Sequence, residues 1–300
     1  MATGKEIKRR IKSIKNTSKI TKAMELISTV KMKKAQDLAL EKKEYIRGIL
    51  EVFMNINGHF SESIYFNKES NSSKTLGIVI TSNKGLCGGY NINVMKKVNE
   101  YVKSNRTDID FISLGKRGSQ FLARTGNNIV ADFSDHFGDN INLIFSKSVS
   151  RMILEKFSTG NYKKVVVFYN YYVNTIRQIP ISRELLPLTD VSIEKYFRDI
   201  LGDDFKYSDN KNDESAYLVE PSLHDLLEEV LPMLVDSMFF DILIESKASE
   251  HSSRMIAMKN AKDNANKFAS KLVLQYNKAR QAAITKEISE IVSGVESMKE

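Results

Sequence analysis

Along the chain the spacing of apolar side chains changes twice. Between residues 4 and 57 they recur at steps of three and four: Ile7, Ile11 and Ile14, then Met24 and Ile27, then Ala35 and Leu38. Ser18 and Thr21 keep the spacing in between. That is the period of a helix with one apolar stripe. No proline interrupts it, and Asn57-Gly58 supplies a stop. At the helical rise such an element is about 80 Å long, longer than a small domain is wide. Residues 61–74 are polar and read as a loop. The period then shortens. Leu76–Thr81 reads as a strand, Ser82–Gly89 as a Gly-rich turn, Asn91–Lys103 as a helix and Asp110–Leu114 as a second strand. Lys116–Arg124 (helix), Asn128–Phe133 (strand), Asn142–Phe157 (helix) and the strands Lys164–Val173 and Ile176–Leu186 follow. Alternation with short links predicts an open α/β sheet.

Residues 189–215 are polar again and read as a loop with room for one short helix. From Ser222 the helical period returns. Leu226, Val230, Leu234, Met238 and Ile242 share a face. Met255, Met258, Lys262, Ala265, Ala269, Leu272, Tyr276, Ala279 and Ala283 then step by three and four as a coiled-coil seam. Pro232 should bend or restart this helix near its beginning. Two terminal helices, each too long to bury its stripe alone, are expected to pair with each other, antiparallel, with the α/β domain between them in sequence. The organisation read from the pattern is a helix over 1–58, an α/β domain over 75–188, a connecting region over 189–220 and a second helix over 221–300.

Charge sharpens this picture. Of the formal net charge of +8, all sits in the first 58 residues, where fourteen Lys and Arg face six Asp and Glu; the remainder balances. Such a segment is a solvated helix face, a surface for an acidic protein, or a nucleic-acid grip. No aromatic side chain is interleaved between Lys5 and Lys34, so base stacking is poorly served. Candidate chemistry is sparse. The single Cys87 excludes an internal disulfide and a cysteine zinc cluster, and reads as a small buried thiol. His59, His136, His224 and His251 form no HxxxH or HExxH pair, so no metal site is expected. The turn Ser82–Gly89 (SNKGLCGG) lies between strand and helix, where phosphate loops sit, but matches neither GxxxxGK[ST] nor GxGxxG. It reads as a tight turn in which Gly88 or Gly89 needs positive φ. No run of about 18 apolar residues marks a membrane span. A nucleotide-using enzyme built on the α/β domain is the other rival reading.

Three stretches resemble one family. Lys5–Gln36 (KEIKRRIKSIKNTSKITKAMELISTVKMKKAQ) is similar to the opening helix of F-type ATP synthase gamma subunits. Ser82–Asn93 (SNKGLCGGYNIN) resembles their internal signature, and Ala248–Gly294, with ASEHSSRMIAMKNAKDNAN and YNKARQAAITKEISEIVSG, their closing helix. Order and spacing also match. The resemblance implies a fold class of α/β plus a long antiparallel coiled coil of the terminal helices, with a central Rossmann-like domain. It implies a non-catalytic, cofactor-free rotor shaft that couples proton-driven rotation to the catalytic beta subunits. The implied partners are the alpha and beta subunits, the epsilon subunit and the c-subunit ring. The implied place is the cytoplasmic side of a bacterial plasma membrane, since the regulatory cysteine pair of the chloroplast type is absent and no transit peptide is read. By the same resemblance Met24, Lys19, Lys22, Lys31, Arg254 and Lys259 would contact the beta subunit. Tyr217 and Glu220 would touch the c ring or epsilon, with Val219 standing where some relatives carry a second Tyr.

Overall fold

The computed structural model describes residues 4–55, 63–66, 72–105, 108–139, 141–201 and 222–298. The expected stop at Asn57-Gly58 and most of the two polar loops lie outside these residues. The chain divides into two compact units, one of residues 1–29 with 254–300 and one of residues 30–253.

The larger unit is built on a five-stranded sheet in the order β3-β2-β1-β4-β5. Its strands are β1 (Thr75–Ile80), β2 (Ile109–Leu114), β3 (Asn128–Asp132), β4 (Lys164–Tyr172) and β5 (Gln178–Leu186). The first four are parallel and β5 runs antiparallel to β4. β1 is buried throughout, which is why it reads as an unbroken apolar run rather than an alternating one. The two-residue period still sorts its side chains by face. Leu76, Ile78 and Ile80, with Val165, Val167 and Tyr169 of β4, join a core with α5 (Leu143–Ser158) and the first part of α7 (Leu223–Ser297). Val79, Val166 and Phe168 face the other way, onto α3 (Tyr90–Asn105) and α4 (Lys116–Arg124). α2 (Lys43–Asn55) and α6 (Asp190–Leu201) complete the first core through Ile46, Ile49, Ile193, Tyr196 and Phe197. Asn142 caps α5, its side chain accepting from the Phe145 N–H at 2.7 Å.

The smaller unit pairs the start of α1 (Gly4–Glu41) with the second half of α7. Glu25 meets Lys262 at 2.7 Å, and the Ser18 hydroxyl donates to the Asn266 side chain at 2.7 Å. A Cβ on Gly4 would lie 3.8 Å from the Tyr276 ring. Ascending numbers on α1 meet descending numbers read backwards along α7, so the pairing is antiparallel.

Three expectations need correction. The first helix is not continuous to residue 57: it breaks at Lys42, whose ammonium donates to the Ser237 carbonyl (2.6 Å) and the Asp241 carboxylate (2.9 Å) of α7. A lysine that looks like solvated surface in sequence is instead a buried tie. α7 does not restart at Pro232 but runs through it. The seam of α1 passes through Glu25, Ser28 and Met32 rather than Ile27: Ser28 and Met32 are buried and Ile27 is exposed. Residues 7, 11, 14, 18, 21, 25, 28, 32 and 35 keep a strict four-three alternation, and a small serine at 28 simply fits a close helix contact.

Candidate partner-contact surfaces

The sheet order puts the Gly-rich turn after β1, beside the point where the strand order reverses between β1 and β4. In open α/β sheets that crevice is where a ligand binds. Here it is closed by the protein itself. The Tyr90 hydroxyl, at the start of α3, bonds the Ser246 hydroxyl (2.6 Å) and carbonyl (3.1 Å) on α7. Asn170 of β4 donates to the Tyr90 carbonyl at 2.9 Å, and Ser249 of α7 donates to the Asn170 carbonyl at 2.8 Å. The polar groups of the turn are spent internally too. Asn91 accepts from the Ser82 N–H (2.9 Å), and Ser82 donates to the Lys84 carbonyl (2.6 Å). The Asn83 amide donates to the Ser134 and Phe137 carbonyls (2.9 and 2.8 Å) and accepts from the Lys116 N–H (2.8 Å). Asn83, tying three segments together, carries no sequence pattern that marks it. Cys87 is buried, as read. Gly88 has φ of 57°, a conformation that favours glycine, whereas Gly89 has no positive φ. Leu86, exposed, is the other left-handed residue of the turn.

The outer surfaces of the helices are where the structure leaves apolar groups uncovered. On α1, Ile20, Leu26, Ile27 and Val30 are exposed, on the side away from the seam. Lys19 and Lys22 are exposed beside them, and Met24 is half-buried. Lys31, within the larger unit, is already engaged, 2.5 Å from Asp139 of the same unit. On α7, Arg254 is buried and Lys259 exposed. Tyr217, Val219 and Glu220 lie outside the described residues. Beyond Ala279 every described residue of α7 is exposed, Ala283 included. Ile284, Ile288 and Ile291 repeat a four-three step of their own, one residue out of register with Ala283, and stand in solvent with Val292. The signal for this stripe was in the sequence: the four-three step of Ile284, Ile288 and Ile291.

Among the described residues no three His, Cys, Asp or Glu side chains cluster as metal ligands, and no helix is long and apolar enough to cross a membrane.

An α/β body whose ligand crevice is filled by its own helix, with paired terminal helices that carry bare apolar stripes, defines a structural subunit that meets other proteins. The family model described as ATP synthase matches residues 3–298. The chain is 38% identical over 298 residues to the ATP synthase gamma chain of Verminephrobacter eiseniae, covering 98% of each. It is 36% identical to that of Heliobacterium modesticaldum, again covering 98% of each, and 35% identical to that of Pelotomaculum thermopropionicum over the full length of both. The chain belongs to the ATP synthase gamma chain family. Its fold is also that of a chain in the Euglena gracilis mitochondrial ATP synthase (TM-score 0.65, 16% identity, 98% of this chain and 94% of that one). A Tetrahymena thermophila central-stalk chain is similar as well (TM-score 0.57, 24% identity, 81% and 99%). Nothing in these comparisons supports the nucleic-acid reading.

Proposed function

We propose that this chain is the central shaft of the F1 sector of an ATP synthase, turned by an ion-driven c ring and driving the beta subunits through their nucleotide-binding states. The observation that carries the reading is the exposed apolar stripe of α7 from Ile284 to Val292, which no helix among the described residues covers. A stripe of that kind is a surface for other proteins, and the family supplies them as alpha and beta subunits. The chain itself is non-catalytic: the filled crevice between β1 and β4 leaves the nucleotide chemistry to its partners. Lys19, Lys22, Met24, Lys31, Arg254 and Lys259 are proposed to face the beta subunits, with Lys31 shared between that role and Asp139. Tyr217 and Glu220 are proposed as the foot on the c ring and epsilon. The likeness to bacterial chains favours the cytoplasmic face of a plasma membrane. Purification from the native membrane under mild conditions tests the reading. Alpha and beta chains should copurify in fixed stoichiometry; a soluble monomer with no affinity for an alpha-beta assembly would sink it.

A further inference from the structure

A cavity of about 70 Å³ lies within the larger unit, between α1, the segment after β3 and α7. One water needs only about 10–15 Å³, so the space admits a small organic molecule. Its walls are aliphatic: Ala35 and Leu38 of α1, Ile141, and Ile244 of α7. Its polar lining is cationic in excess. Lys31, Lys34, Lys247 and His251 face a single carboxylate, Asp139. The charges are not equally available. Lys31 is paired with Asp139 at 2.5 Å. Lys247 is buried, 3.0 Å from Glu250 and over the Phe137 ring at 3.9 Å. Lys34 is exposed and makes no ion pair among the described residues. Of the three lining ammonium groups, Lys31 is held by Asp139 and Lys247 by Glu250, so the exposed Lys34 is the one placed to turn toward a ligand. The field in the cavity agrees: burial alone would raise the Asp139 carboxyl, yet the Lys31 hydrogen bond and the charges of Lys31, Lys247 and His251 hold it below the usual range.

We infer that this cavity binds a small organic monoanion, an aliphatic body of a few carbons bearing one carboxylate, with the chain against Leu38 and Ile244 and the carboxylate on Lys34. An inorganic oxyanion would leave the aliphatic walls unused. A neutral molecule would gain no ion pair from Lys34. The ligand would touch α1, α7, Asp139 and Ile141 together, where Lys31 and Asp139 are already paired.

Butyrate is the probe. The full-length chain is titrated calorimetrically with sodium butyrate at constant ionic strength, beside 1-butanol and phosphate. Saturable binding of butyrate at one site is expected, with neither control saturating. Lys34→Gln should raise the butyrate Kd at least tenfold, and Ala35→Leu, which fills the cavity, should abolish binding. Should Ala35→Leu disturb folding, Lys34→Gln decides alone, because its side chain is exposed and unpaired. The inference is overturned if butyrate does not saturate, if Lys34→Gln binds it as tightly as the parent chain, or if phosphate binds equally well. None of these outcomes bears on copurification with alpha and beta chains, so the shaft assignment stands or falls separately.

Discussion

At the scale of single residues, the stability of the larger unit rests on a few groups whose environment the sequence does not announce. Glu245, on α7, accepts from the Tyr169 hydroxyl at 3.0 Å. Burial pushes its carboxyl up to about 7, with Asp241 and Asp199 adding to the shift and Arg183 and Tyr169 pulling against it. Between pH 4.5 and 7 the folded chain therefore keeps a proton that the unfolded chain gives up. That contribution to stability is whole below about pH 4.5 and is lost as pH rises through 7. Allowing for partial exposure, the effect is on the order of 2 kcal/mol. Glu245→Gln keeps an acceptor for Tyr169 and removes the titration. Its unfolding midpoint should exceed that of the parent chain at pH 8 and lose the parent's slope between pH 5 and 7. A parallel slope in both chains would show that Glu245 is not the titrating group. Glycine requirements are just as local. At Gly115 φ is 111° and a Cβ would lie 2.2 Å from the Thr81 carbonyl oxygen. Gly115→Ala should cost about 3 kcal/mol, and Gly88→Val, at a left-handed position, about 1–2. At Gly89 the nearest obstacle is the Asn93 side chain at 3.3 Å. Gly89→Ala should therefore be the mildest of the three in thermal unfolding, and any other order would contradict these backbone assignments.

At the scale of elements, β1, α3, α4, β4 and β5 were legible because each carries its period in its own residues. α4 begins and ends at the residues the pattern indicates. What was not legible depends on partners far away in sequence. The break at Lys42 follows from no helix-stop residue; it coincides with an ammonium drawn against Ser237 and Asp241. Burial lowers the Lys42 pKa and Asp241 raises it, and the pair persists because each ion satisfies the other. Tyr196 also donates to Asp241. Removing one ion from a buried pair strands its partner. Lys42→Met should destabilise the chain by about 3 kcal/mol, and Lys42→Met with Asp241→Leu should recover a large part of that loss. Additive effects in the double variant would mean that the two side chains do not depend on each other. The same limit applied to Ile27. A stripe of three-four spacing fits residues 24 and 27 nearly as well as 25 and 28, and only the partner helix selects the register. Of the candidate contacts, the exposure of Lys19, Lys22 and Lys259 follows from their places off the seam. The burial of Arg254 does not, because an arginine at that position of a helix reads equally well as solvated.

At the scale of the whole molecule, the proposed shaft acts through its partners, so its variants should be read through them. A shaft is pushed by contact, and most single contacts on it should be replaceable. A charge placed at a partly desolvated contact is different. Met24 is half-buried on α1, one residue from the Glu25–Lys262 pair and close in sequence to the exposed Lys19 and Lys22. Met24→Lys adds an ammonium where the proposed neighbour is an acidic lever of the beta subunit. An exposed ion pair is worth about 0–1 kcal/mol, and a partly desolvated one more. Such a pair forms at some rotor angles and must break at others, so it opposes rotation without touching the beta active sites. The fold should survive, since Met24 is not in the buried core. In membranes carrying the variant complex, ATP-driven proton pumping should fall by a larger factor than ATP hydrolysis, and raised ionic strength should narrow the difference by screening the new pair. If hydrolysis and pumping both stay at the parent level in a fully assembled complex, Met24 serves only to pack the seam and its place among the beta-subunit contacts is withdrawn.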